Sequence, residues 1–236
     1  MLPRAVGTTV AAGTGAAAAI SLAAGVTTPV RSGPNCTGGC VRYPYLDAAA
    51  FVPRDYLWMY PAVITALFAV LLAVCLDVTT PADRRWASRA GLCLAAIGAG
   101  TLVLDYALQL TVLQPGLLAG ETAGLSPLSQ YNPHGVFIGL ENAGYAEFAV
   151  AFAFLGYALL RQRSRAGRAA GWILAAGAAA TLGVLIVFAA VYRARLDYHF
   201  EVISIGLVWL TLIAGGPVLA GMFARGGHEG PPASTG

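Results

Sequence analysis

Residues 58–79 read WMYPAVITALFAVLLAVCLDVT, and the first nineteen of them carry no charge. An α-helix rises about 1.5 Å per residue, so roughly 20 apolar residues cross the hydrocarbon core of a bilayer. A run of this kind is a membrane span. Working outward, similar runs recur at 6–29, 90–113, 136–160, 171–193 and 199–224. The first is built from Ala, Gly and Thr and reads as either a retained helix or a signal sequence behind Arg4. Its apolar stretch exceeds the roughly 7–15 residues of a signal core, so a retained helix is expected. Over the whole chain 58% of residues are hydrophobic and 11% charged, against about 25% charged in a soluble domain. The expected fold is all-α: a polytopic transmembrane helical bundle of about six helices. It should occupy 1–225 as one unit, followed by a disordered cytoplasmic tail at 226–236, where the residues are small and polar.

Charge sets the expected orientation. All fourteen basic residues are Arg. Nine of them (4, 84, 85, 89, 161, 163, 165, 168 and 225) flank one set of helix ends, and five (31, 42, 54, 193 and 195) flank the other. The positive-inside rule places the richer set, and with it both termini, in the cytoplasm. The loops 30–57, 114–135 and 194–198 then lie outside. The net charge of +3 reflects this orientation and gives no reason to expect nucleic-acid binding. Cys36 and Cys40 fall in the first outer loop, where an oxidising compartment favours a disulfide. Cys75 and Cys93 lie within spans and read as small packing residues. The loop 30–57 is rich in Tyr, Trp and Pro and is expected to lie over the bundle as an interfacial cap.

Four carboxyls stand out against this apolar background: Asp105, Glu141, Glu147 and Glu201. An ionisable group at bilayer depth costs at least ~2.5–3.5 kcal/mol on insertion scales, so it faces a partner or a polar cavity. Thr101, Asp105 and Gln109 are spaced i, i+4, i+8 and share one helical face. Glu141 and Tyr145 share a face of the next span, with His134 two turns nearer the loop. Asn132 is expected to cap that span, with Pro133 in its first turn. Glu201 opens the last span beside His199. These groups all fall in the outer half, with Glu121 and Gln130 in the loop above them. The inner half is almost purely apolar, which predicts a polar cavity opening outward. Gly135/Gly139 and Gly177/Thr181 have small-xxx-small spacing suited to close helix approach, and Gly215-Gly216-Pro217 is expected to kink the last span.

One stretch has a recognisable pattern. It runs from Asp105-Tyr106 and Gln109 through Gln114-Pro115, Gly120-Glu121 and Gln130-Tyr131-Asn132-Pro133-His134-Gly135. It continues with Phe137-Ile138, Leu140-Glu141 and Gly144-Tyr145. The pattern resembles a family of bacterial multi-pass membrane proteins, and Phe200-Glu201-Val202 with Trp209-Leu210 is similar to the same family. The resemblance covers about the last 140 residues. It implies the helical fold and marks these residues, but it implies no reaction.

Three uses fit the residues. The first is a membrane-embedded enzyme. Asp105, Glu141, His134 and Glu201 would carry acid/base chemistry on a lipid-like or isoprenoid substrate. Gln109, Tyr106, Tyr145, Gln130, Tyr131, Asn132 and Glu121 would bind it. Aromatic rings among them can stabilise a carbocation, as in membrane-bound terpene cyclases, though this chain lacks the motifs of those enzymes. The second is a transporter or small-ligand binding protein whose carboxyls take up a cation or proton. The third is a structural membrane protein in which Asp105–Gln109, Glu141–His134 and Glu201–Arg193 simply pair helices. The three His have no HExxH or similar spacing, and there is no Gly-rich phosphate loop or redox CxxC. No cofactor and no metal are expected. The expected partner is a membrane lipid or hydrophobic small molecule.

Overall fold

A computed structural model describes residues 3–225, and all regular structure among them is helical. The tail 226–236 lies outside the described residues. Six helical stretches are long and apolar enough to cross a membrane, and the protein is a multi-pass membrane protein. In lipid a helix satisfies its backbone polar groups internally, so each apolar run takes this form.

The helices are α1 (Arg4–Val26), α2 (Met59–Thr79), α3 (Arg85–Leu108), the short α4 (Gln114–Leu118), α5 (Val136–Leu160), α6 (Arg165–Tyr192) and α7 (Asp197–Arg225). They form a ring in the order α1, α2, α3, α5, α6, α7, which closes where α7 packs on α1. α5 also reaches across to α7. Burial follows this order: 56% of the spanning part of α5 is buried, against 17% of α6, so α5 is the core helix and α6 faces lipid. Cys75 is buried as a packing residue, whereas Cys93 is exposed on the lipid-facing side of α3 and does not pack the core.

Two helix ends differ from the sequence expectation. α3 does not stop near 113. It passes through a π-helical turn at Gln109–Leu113 into α4, giving a continuous span of Arg85–Leu118. α5 begins at Val136, three residues later than a cap at Asn132 requires. The Asn132 side chain instead accepts from the His134 backbone N–H at 3.0 Å in a local turn, and Gly135 takes the N-cap position without a side-chain bond. At the opposite end Ser164 caps α6 by accepting from Gly167 N–H at 3.0 Å.

Small residues set the helix spacing. A Cβ at Gly98 on α3 would lie 3.0 Å from the Gly144 carbonyl on α5, and a Cβ at Gly216 on α7 would lie 2.8 Å from the Ala11 carbonyl on α1. Both pairs of backbones therefore touch, as small residues allow in a bilayer. Gly139 faces open space and Gly135 packs on the loop, so that pair does not form a helix contact. Gly177 does approach Thr211 of α7 closely.

The two long connections lie at the same end of the bundle and hold each other. Cys36 and Cys40 are joined by a disulfide, and Val41 N–H donates to the Arg31 carbonyl at 2.7 Å. Two 3-10 turns, Ala49–Phe51 and Arg54–Tyr56, lead into α2. The Ser129 hydroxyl donates to the Tyr45 carbonyl at 2.9 Å, tying the second loop to the first. The loop 30–57 therefore caps the bundle. This is called the loop end below, and the other the arginine end.

Candidate functional site

Three spans bring carboxyls together beneath the cap. Glu141, one and a half turns into α5, is fully buried. Its Oε1 accepts from the Tyr106 hydroxyl of α3 at 2.6 Å. Tyr106 lies 2.9 Å from the Tyr145 hydroxyl, and because Tyr106 donates to Glu141, Tyr145 must donate to Tyr106. On its other side Glu141 lies beside the Glu201 side chain of α7, and Glu141 Oε2 has no hydrogen-bond partner among the described residues. Asp105, 1% exposed, lies within electrostatic reach of Glu141, and neither of its oxygens has a hydrogen-bond partner among the described residues.

Aromatic rings enclose this group. Trp58 stands edge-on to Tyr106 at 5.3 Å and to Trp209 at 6.1 Å, and Tyr145 meets Trp209 at 6.4 Å. Phe137 closes the same cluster, 6.2 Å from Tyr106. Trp58, Phe137 and Trp209 also line a cavity of about 480 Å³ on their far side. That is within the range of small-molecule sites, ~300–1,000 Å³. The cavity lies between α1, α7 and the first loop. Glu201 lines it and also contacts Glu141, so it links the cavity to the buried carboxyls.

The polar end of the cavity is built by the loops. Asp55, 1% exposed, takes an ion pair from Arg31 at 3.1 Å and from Arg54 at 3.4 Å, and accepts from the Tyr131 hydroxyl at 3.0 Å. Burial, with the nearby Tyr56 hydroxyl and the Asp55 carboxylate, pushes the Tyr131 hydroxyl well above the ordinary phenol range, so it stays a donor. The Tyr198 hydroxyl donates to the Gln130 carbonyl at 2.9 Å, leaving Ser32 to donate to it at 2.8 Å. Gly33 sits against the Tyr198 ring at φ +74°, where a Cβ would both strain the backbone and strike the ring.

The residues expected from sequence divide into three groups. Glu201, Gln130 and Tyr131 line the cavity. Asp105, Glu141, Tyr106 and Tyr145 form the buried network behind it. Gln109 is buried at the π-helical turn, where it fastens the loop by donating to the Leu128 carbonyl at 2.5 Å and accepting from Gln130 N–H at 3.3 Å. It therefore does not pair with Asp105. His134 and Glu121 are exposed and join neither group, and Asn132 spends its side chain on the loop turn. With α5 starting at Val136, His134 is outside the helix and not stacked above Glu141. Glu147 accepts from Thr101 across α3 and α5 at 3.2 Å, apart from the network. His199 stacks on the Tyr192 ring, 3.8 Å between centroids.

Sequence reading missed Arg31, Asp55 and Tyr198. The signal available for Asp55 was an acid inside an aromatic loop, at Arg54-Asp55-Tyr56-Leu57-Trp58. Nothing local marked Arg31 or Tyr198. No family model, curated protein or solved structure matches this chain.

Proposed function

We propose that this protein is a membrane-embedded enzyme that moves protons between buried carboxyls and a lipid-like or isoprenoid substrate. What supports this reading is that Glu201 lines the cavity and lies beside Glu141 behind it. Glu201 would deliver a proton to an alkene carbon or epoxide oxygen held in the cavity. Glu141 would replace that proton, while Tyr106 and Tyr145 steady its charge through their hydroxyls. Trp58, Phe137 and Trp209 would face the cation so formed. The orphaned Asp105 oxygens support this reading over a structural one. A helix-pairing carboxyl is satisfied, and an unsatisfied buried one costs stability and is retained at functional sites. The resemblance to the bacterial multi-pass family carries the same residues, and both termini are proposed to be cytoplasmic.

The test is isotopic. Membranes holding the wild-type chain, incubated in D2O with an isoprenoid lipid extract, should place deuterium on carbon in at least one lipid. Glu141→Gln and Glu201→Gln should abolish this incorporation while remaining monodisperse. If no lipid differs between wild type and the two folded variants, the enzyme reading is wrong. For orientation, a cysteine introduced at position 164 should resist an impermeant thiol reagent in intact cells, and one at 126 should react.

A further inference from the structure

We infer that the cavity admits an uncharged lipid with an oxygen head group (alcohol, ketone or epoxide), and that this lipid enters sideways from the bilayer between α1 and α7. The lipid's fate rests on the proton-transfer reading above; its binding and route do not.

The route follows from how α1 and α7 cross. They touch backbone to backbone at Gly15 and Gly216, where a Cβ on Gly216 would lie 2.9 Å from Gly15 Cα. Ten residues nearer the loop end, roughly 15 Å along each helix, stand Gly25 and Gly206, and both line the cavity. A Cβ on Gly206 would meet nothing within 4 Å, and one on Gly25 would meet only the Trp209 ring. The two helices thus part above their crossing, and the cavity fills the opening. Its mouth is apolar. Val26, Val30 and Val202 line the cavity yet are 73%, 52% and 58% exposed, so they face both the cavity and the lipid side. Thr28, between Val26 and Val30 in sequence, spends its hydroxyl on the Ala24 carbonyl at 3.0 Å.

The head group follows from charge. Arg31 is the one cation among the described lining residues. It is already committed to Asp55 at 3.1 Å, and its guanidinium stands 4.0 Å from the Phe51 ring centroid. Asp55 and Glu201 add two carboxyls to the same wall. A phosphate or diphosphate head would bury further negative charge with no free cation to meet it, which is costly in a dry site. An uncharged oxygen head can meet the Glu201 carboxyl without burying a charge, and an alcohol can also donate to the Ser32 hydroxyl oxygen, whose own hydrogen goes to Tyr198.

Farnesol and farnesyl diphosphate share one tail and differ in the head, so they separate the alternatives. The full chain is reconstituted in phosphatidylcholine nanodiscs and photolabelled with a diazirine analogue of farnesol. Labelled peptides should come from the cavity faces of α1 and α7. Farnesol should compete at a concentration at least about tenfold below that of the diphosphate, a difference of ~1.4 kcal/mol. Gly206→Phe fills the opening without meeting backbone and should cut labelling about tenfold or more, the same ~1.4 kcal/mol scale. Should that variant fail to fold, Val202→Trp at the exposed mouth should slow labelling of an otherwise intact protein. The inference falls if the diphosphate competes as well as the alcohol, if label concentrates on α6, or if both folded variants label like wild type. Glu141→Gln should label normally. If it also retains turnover, the proton-transfer reading fails while the binding result supports this one.

Discussion

At the arginine end of the bundle, polar side chains find partners close to the helix ends, Arg85 Nε being an exception. Asp77 accepts from the Ser88 hydroxyl at 2.6 Å, Thr80 returns its hydroxyl to the Leu76 carbonyl at 2.6 Å, and Arg84 reaches the Ala158 carbonyl at 3.2 Å. These groups sit near helix ends and close the inter-helix turns. At the loop end the carboxyls are deeper, come from α3, α5 and α7, and include oxygens with no partner on Asp105 and Glu141. Polar groups that only hold helices together can be satisfied locally. The acids beside the cavity have no such local closure. The loop end also contains its own control: Asp55 is as buried as Asp105 but fully bonded.

The largest expected effect separates the two ends. Glu141→Gln should lower turnover by about 10²–10⁴-fold, the usual contribution of a positioned acid or base. Asp77→Asn, at the arginine end, should leave turnover unchanged in the same deuterium assay. Equal losses in both would break the contrast. Next comes Asp55→Ala, which leaves the half-buried Arg31 and the Tyr131 hydroxyl without their partner and should destabilise by up to ~3–5 kcal/mol. Asp105→Ala should do the opposite of what burial alone suggests. Removing an orphaned polar group recovers about 1–3 kcal/mol and offsets the small cavity left behind, so thermal stability should hold or rise. Melting curves of the two variants side by side test the pair, and a large loss for Asp105→Ala would place it among the structural carboxyls. The smallest effect concerns pH. Tyr131 has a raised folded-state pKa, so its contribution is complete below the unfolded phenol value of ~10 and fades as pH climbs beyond it. Tyr131→Phe should flatten the alkaline limb of the stability curve.

The six spans were legible because each is a long, mostly apolar run, and that signal needs no knowledge of neighbours. Asp105, Glu141 and Glu201 were legible for the same reason, as charges inside those runs. The cavity was not. It exists because α1 closes the ring against α7, a contact between the two ends of the chain that no local pattern encodes. Arg31 and Asp55 lie 24 residues apart, and Ser32 and Tyr198 lie 166 apart, so their bonds appear only on folding. His134 and Glu121 lie in the loop, as their place in the sequence implies, but which way a loop side chain faces is not encoded locally, and both are exposed.

The π-helical turn at Gln109–Leu113 fixes a length. One residue more than an α-helix needs changes the angular phase of everything after it by about 100°. Gln109 sits at its start, and its two bonds to the 128–130 segment set where Gln130 and Tyr131 meet the cavity. Shortening 109–113 by a single residue would restore ordinary helix and keep every apolar side chain in the bilayer. It would also rotate α4 about its axis and swing its buried Leu117 away from the core. In this segment the number of residues carries information that their hydrophobicity does not.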